Sequence, residues 1–316
     1  MGFIILGRRK PNGGRLMNNS NSPMQTRGLL SILVVLLIWG SSFSVTKFVV
    51  TEVPPLTAAA IRNTIACLAL LPFYLLSRRK SKPPLPFGKL TLMGLSGTTI
   101  YYLCFNTGMH YIPASTGAII EGLVPVAIAI PAALFLKEHL SGRLVAGIIL
   151  SVIGVILVGF VGTSGESKNG PLGSALIIGA VCLWSVYTLL SRTVKDYDTL
   201  QVTAVSMMIG TVLSYPIGML EVQQLGWPVI SWQAWLGLCY CGILASAVAY
   251  FLYNKALESL PAAQVGNFLN LNPVIGAIVA FIFLHESFTA LQWAGGVLVI
   301  AGIWLSSKKS DPQPEK

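Results

Sequence analysis

Glu121 stands inside an apolar run that extends from Ala114 to Leu136. If that run crosses a bilayer, the carboxyl group lies roughly 10 Å deep at 1.5 Å of rise per residue. An ionisable group at such depth is expensive and marks a functional site by default. Desolvation disfavours the charged form of a carboxylate, so Glu121 is a candidate proton-coupling residue as well as a ligand for a substrate amine. Four residues later Pro125 lacks the N–H that would occupy the Glu121 carbonyl, and Pro273 stands in the same relation to Leu269. Both helices are therefore expected to break at equivalent depth. Arg62 lies about two helical turns into another apolar run. Its guanidinium fork suits a substrate carboxylate; the alternative is a side chain that snorkels to the headgroups.

Around these two charges the sequence offers aromatic and amide side chains. Trp39 and Trp184 fall near the middle of their runs, away from the interfaces where tryptophan collects, and a buried indole N–H needs an acceptor. Both are expected to line a central cavity, together with Tyr101 and Tyr187. Tyr102 and Tyr250 are further wall candidates, although neighbours such as Tyr101 and Tyr102 point to different sides of a helix. Gln264, Asn267 and Asn270 recur at spacing three and so share a face. A lipid-facing amide stripe is costly; the stripe must face the cavity or a partner helix, and the cavity is the expectation. Asn106 and Asn254 read as helix-end caps, and Glu138 as a cap for a neighbouring helix or a partner across a loop.

Catalysis finds no equivalent support. His110, His139 and His285 fall in three separate loops, and Cys67, Cys104, Cys182, Cys239 and Cys241 lie in apolar runs without a histidine beside them. No nucleophile–base pair, metal site or cofactor motif is legible. A membrane-embedded enzyme is therefore the weakest reading.

The elements that hold these residues are set by composition. The chain is 54% hydrophobic and 10% charged, with a mean hydropathy of +0.72, against about 25% charged residues in an ordinary soluble domain. Ten apolar segments, near 29–48, 56–76, 90–109, 114–136, 142–161, 172–191, 199–220, 232–253, 262–284 and 289–306, each approach the ~20 residues that span a bilayer core. In lipid they must be helices, because every backbone polar group needs an internal partner. This predicts an all-α integral membrane protein with ten transmembrane helices.

The net charge of +10 does not form a nucleic-acid surface, because the basic residues sit in short segments between the apolar runs. One side collects Arg8, Arg9, Lys10, Arg15, Arg27, Arg78, Arg79, Lys80, Lys82, Lys89, Lys137, Arg143, Arg192, Lys195, Lys255, Lys308, Lys309 and Lys316; the other receives only Lys47 and Lys168. The positive-inside rule then places both termini in the cytoplasm. Residues 1–26 read as a disordered cytoplasmic tail and 308–316 as a second one.

The chain also writes one block twice. At a constant offset of 148, Asn106, Pro113, Pro125, Glu138, Gly147 and Gly154 match Asn254, Pro261, Pro273, Glu286, Gly295 and Gly302. Trp39 and Trp184 match at an offset of 145. Each repeat, 27–161 and 170–307, holds five spans, so the second must insert upside-down. Two inverted five-helix repeats are the architecture of secondary carriers, whose site lies at mid-membrane between the halves. The matched glycines present a smooth face on each helix, for an intramolecular contact or for a homodimer.

Trp39-Gly40-Ser41-Ser42-Phe43, with the tandem endings Glu138…Gly147…Gly154 and Glu286…Gly295…Gly302, resembles the EamA-like transporters of the drug/metabolite transporter superfamily. The resemblance covers about residues 27–307 and is weaker at Trp184-Ser185-Val186-Tyr187, where the Gly and Phe are absent. It implies a multi-pass protein of the cell membrane that exports amino acids or related small metabolites by alternating access, by exchange or coupled to protons. The expected partners are the lipid bilayer and a small-molecule substrate, with no nucleic acid. An importer or a channel-like permease is the alternative.

Overall fold

The computed structural model describes residues 23–78, 84–112, 117, 120–160, 169–275 and 290–307. The described residues contain helices and no strand. In chain order they are α1 (Pro23–Glu52), α2 (Pro55–Arg78), α3 (Phe87–Gly94, Leu95–Thr99 and Ile100–Tyr111), α4 (Val124–Phe135) and α5 (Gly142–Phe160). The second half follows with α6 (Gly170–Thr193), α7 (Thr199–Leu225), α8 (Trp232–Cys239, Tyr240–Val248 and Ala249–Ser259), α9 (Ala262–Phe268) and α10 (Ala290–Ser307). Helices α1, α2, α6, α7 and α8 are each long and apolar enough to cross a membrane. Large apolar side chains such as Leu134, Phe135 and Val212 are turned outward, while Arg62, Asn63, Thr203, Ser246 and Asn267 are buried. A soluble protein shows the reverse distribution; a bundle surrounded by lipid shows this one. Pro113, Lys168, His285, Glu286, residues 1–22 and residues 308–316 lie outside the described residues, whereas 23–26, expected to belong to the N-terminal tail, already form the first turn of α1.

The packing is two-fold. On α5 and α10 a Cβ on Gly147 would stand 2.5 Å from the Gly302 carbonyl oxygen, and one on Gly154 would stand 2.6 Å from that of Gly295. Residue 147 meets 302 and 154 meets 295, so these equivalent helices run antiparallel. Helices related by repeat can do this only when one repeat is inverted. The smooth glycine faces are thus used within the chain. The same operation relates two other close approaches: Gly94 of α3 against Gly210 of α7, and Gly242 of α8 against the Arg62 backbone of α2.

Two cations repeat the pattern. Lys47 Nζ donates to the Met109 carbonyl at 2.6 Å and Arg192 Nη1 to the Leu257 carbonyl at 2.5 Å. The donors are offset by 145 and the acceptors by 148, so each closes the helix C-terminus equivalent to the other.

Helices α3 and α8 each contain a π-helical stretch, Leu95–Thr99 and Tyr240–Val248, at matched positions. The wider turn disturbs the i→i−4 ladder, and such bulges gather at functional sites. The proline pair acts as expected. The chain turns at Gly122–Leu123 just after Glu121, and again at Leu269–Asn270, with Leu123 N–H bonded to Ile120 and Leu269 N–H to Gly266. Both interruptions occur where a proline withholds its donor.

Leucine at Gly147 would drive side-chain atoms into the backbone of α10 and should destabilise the bundle by about 1–3 kcal/mol. Alanine at Gly296, where the nearest atom would be 3.6 Å away, should be tolerated. Thermal unfolding of both purified variants in detergent makes the comparison.

Candidate functional site

The interrupted helices meet at one cavity, and side chains on its wall bond to the two wide turns. Its wall carries Trp39, Ser42 and Phe43 from α1, Arg62 from α2 and Tyr101, Tyr102 and Phe105 from α3. Glu121 and Val124 stand at the interruption before α4, Val181 and Trp184 on α6, Tyr250 on α8, and Leu269 and Asn272 at the second interruption. The cavity measures about 40 Å³, room for roughly three waters and too little for an amino acid.

Arg62 does not snorkel. Its side chain is 4% exposed, with Nε donating to Ser246 Oγ at 2.8 Å and the guanidinium carbon 4.1 Å from the centre of the Tyr102 ring. The stacked ring and the hydroxyl replace part of the lost hydration. Glu121 Oε1 accepts from the Tyr101 hydroxyl at 3.3 Å. No ion pair joins Glu121 to Arg62, and neither the terminal guanidinium nitrogens nor Glu121 Oε2 has a hydrogen-bond partner among the described residues. Opposite charges thus line one cavity with their outer valences open. Trp184 Nε1 and Asn272 Oδ1 are also buried without a partner, one a donor and the other an acceptor.

Trp39 and Trp184 meet edge to face with ring centroids 5.1 Å apart. Tyr101 packs on both sides, 5.3 Å from Trp184 and stacked 5.6 Å from Phe105. Tyr187 is not on the wall. It lies behind Trp184, with ring centroids 5.0 Å apart, is 1% exposed, and receives a bond from Asn254 Nδ2 at 2.8 Å. Tyr253, 0% exposed, completes that plug and bonds to Thr188 at 2.8 Å. The cavity is therefore sealed toward the end of the bundle that holds Arg192.

The amide stripe goes to partner helices. Asn267 accepts from Ser151 of α5 at 2.6 Å and donates to Ser306 of α10 at 2.7 Å; Asn270 donates to Ser151 at 2.9 Å. Gln264 is half-buried, away from the wall. The polar face of α9 thus knits α5 to α10, and Asn272, two residues beyond the stripe, is the amide that reaches the cavity. Asn106 and Asn254 do not cap their own helices either: Asn106 reaches the Pro55 carbonyl, and Asn254 reaches Tyr187 and Thr203. Tyr101 and Tyr102, adjacent on α3, do both line the cavity. Tyr102 and Tyr250 line the wall as their positions suggested, and the members that sequence reasoning did not place there are Ser42, Phe43, Phe105, Val124, Val181, Leu269 and Asn272.

At the sealed end Lys137 adopts a left-handed backbone (φ 54°) that closes α4 and turns Glu138 toward α9. Its carboxylate accepts from the backbone N–H of Ala262 at 3.0 Å and of Ala263 at 3.3 Å, and pairs with Arg192 Nε at 3.4 Å. One first-repeat side chain thereby caps a second-repeat helix, where a negative charge also complements the helix dipole.

Comparison with known proteins places this geometry. Residues 26–160 and 171–308 each match the EamA-like transporter family. A protein of Archaeoglobus fulgidus described as an uncharacterized transporter is 30% identical over 293 residues, covering 90% of this chain and 99% of that protein. A "probable terminal-alkyne amino-acid exporter" of Streptantibioticus cattleyicolor is 25% identical, with 90% and 95% covered. A solved crystal structure superposes with a TM-score of 0.73 over 89% of this chain and 96% of its own, at 19% identity, which supports the fold alone.

Removing the Glu138 carboxylate should leave two helix N–H groups without their acceptor and Arg192 with the Leu257 carbonyl but no counter-charge. Glu138→Ala is expected to cost about 1–3 kcal/mol of stability, and Glu138→Gln, which keeps an acceptor oxygen, less. Thermal unfolding of the purified variants reads the order.

Proposed function

The chain belongs to the EamA-like transporter family, and from that premise we propose that it exports small amino-acid-like zwitterions by alternating access. One observation carries the reading. Arg62 and Glu121 line the same cavity, do not pair with each other, and keep outward-facing donors and an acceptor oxygen. A substrate with an α-ammonium and an α-carboxylate supplies both missing partners at once. The carboxylate takes the guanidinium fork, the ammonium takes Glu121, and the surrounding aromatic faces accept the apolar remainder.

Removing two charges from water without mutual pairing is costly, so the site has a strong physical preference for a ligand that neutralises both. A proton on Glu121 is the alternative to an ammonium there. Competition between the two gives exchange of substrate against protons without a separate coupling site. The amino-acid exporter among the relatives agrees with this substrate class. The two repeats, 27–161 and 170–307, act as the rocking halves, and the distribution of basic residues puts both termini in the cytoplasm of a cell-membrane protein.

Reconstituted vesicles loaded with amino acids test this directly. Counter-flow stimulation should be present in the wild type. Glu121→Gln should abolish acceleration by a pH gradient, and Arg62→Gln should raise the KM for a zwitterion by about 10- to 100-fold while leaving a decarboxylated amine less affected. Proton-driven flux that survives Glu121→Gln unchanged would remove the coupling role, and flux without saturation or counter-flow would indicate a channel.

A further inference from the structure

The two π-helical stretches each present one backbone carbonyl to the aromatic cluster, and the two carbonyls are equivalent by repeat. Trp39 Nε1 donates to the Ala245 carbonyl at 2.8 Å. The Tyr250 hydroxyl donates to the Gly97 carbonyl at 2.5 Å. Gly97 and Ala245 are offset by 148, as are Tyr102 and Tyr250; Trp39 and Trp184 are offset by 145. The cation caps of α3 and α8 follow the same two offsets, so the alignment does not depend on these aromatics.

The equivalent bonds are not made. Trp184 Nε1 is buried with no acceptor. The carbonyl matching the one that Trp39 uses belongs to Gly97, and Tyr250 occupies it. The nearby Tyr253 hydroxyl is bonded to Thr188 and is not in hydrogen-bond geometry with the indole. Tyr102, the counterpart of Tyr250, stops one residue short of the Ala245 carbonyl and contacts Ser246 Oγ at 3.2 Å. Each carbonyl thus has two suitors, an indole and a phenol that both come from the repeat opposite its own, and each is held by one of them.

We infer that these four side chains form a hydrogen-bond exchange that positions the halves of the carrier, with Gly97 and Ala245 as the alternating acceptors. The inference rests on the alternating-access reading above. A carrier built from inverted equivalent halves reaches its opposite state when each half takes up the other's conformation. Applied here, Trp184 takes the Gly97 carbonyl, Tyr102 takes the Ala245 carbonyl, and Trp39 becomes the unpaired indole. One indole bond and one phenol bond exist in either state. The two states therefore differ little in hydrogen bonding, which keeps both populated, as a two-state carrier requires. The same swap moves the plug: Tyr187 and Tyr253, now sealed, exchange places with their counterparts Ser42 and Phe105, now on the cavity wall.

Trp39 and Tyr250 hold the described state, and Trp184 and Tyr102 hold its opposite, in which the Arg192 end is open. Hydrogen–deuterium exchange on the full-length protein in lipid nanodiscs, without substrate, separates them. The reporters are the amides of Ala262 and Ala263, which Glu138 caps at the sealed end. Trp39→Phe and Tyr250→Phe should each speed their exchange by about 2- to 10-fold, the population shift expected for one net hydrogen bond. Trp184→Phe and Tyr102→Phe should not speed it, and Trp184→Phe added to Trp39→Phe should bring the rate back toward wild type.

Simple destabilisation would add in the double variant instead of cancelling. Faster exchange in Trp184→Phe or Tyr102→Phe, additive speeding in the double variant, or no response to Trp39→Phe and Tyr250→Phe would each overturn the inference. Because the readout needs no transport, intact counter-flow beside a failed exchange pattern removes the switch and leaves the carrier. The predicted pattern in a protein without counter-flow supports the switch and removes the export reading.

Discussion

Lipid offers no hydrogen bonds, and that constraint governs where this molecule can place chemistry. A continuous helix satisfies its own backbone and presents only side chains; a carbonyl becomes available at mid-membrane only where the ladder is disturbed. Two equivalent pairs of disturbances reach the site: the π-helical stretches of α3 and α8 and the proline-coupled turns before α4 and after α9. The two turns carry or adjoin residues of the cavity wall, and the two π-helical stretches accept bonds from wall side chains, Ala245 from Trp39 and Gly97 from Tyr250. The carbonyls that Trp39 and Tyr250 occupy, and the acidic residue at a helix interruption, come from the same device. Site and backbone irregularity are one feature, because in this solvent neither is tolerated without the other.

The buried cation follows the same logic. Arg62 is accepted at 4% exposure because an aromatic face and a hydroxyl meet it. Tyr102 carries much of this: its ring lies under the guanidinium and its hydroxyl shares Ser246 with Arg62. Holding the group by Nε and by its face leaves the outer fork free. A conventional carboxylate partner would have satisfied it more fully and closed the site.

The sequence made legible what depends on depth and on repetition. Glu121 with Pro125, and Leu269 with Pro273, announced the interrupted helices, and the offset between Trp39 and Trp184 announced that the two indoles meet. It did not disclose which neighbour a polar face would find. Spacing puts Gln264, Asn267 and Asn270 on one face, but only packing shows that Ser151 and Ser306 take Asn267, with Ser151 also taking Asn270. The π-helical stretches left no trace in hydropathy, since an extra residue in a wide turn changes hydrogen bonding without changing composition. Tyr187, a plausible wall residue by position, stands behind Trp184, while the adjacent Tyr101 and Tyr102 both reach the cavity.

The two-fold is strict in the scaffold and broken in the cavity, and the division has a physical basis. Glycine contacts, cation caps and π-helical stretches occur as equivalent pairs, as the proposed alternating access requires of parts that serve both orientations of the halves. The cavity-lining positions Arg62, Glu121 and Val124 have unlike counterparts in Gly210, Leu269 and Asn272. Tyr102 and Tyr250, which are equivalents, lie 6.3 Å apart, so the axis runs beside the cavity and equivalent side chains would crowd it together. Two carboxylates there would keep each other from ionising, and two guanidiniums would repel without a counter-charge. A cavity that carries one basic and one acidic side chain can therefore be built on a duplicated frame only after the copies diverge where they face it. Near the axis, a single copy of each charge remains within reach from either side of the membrane.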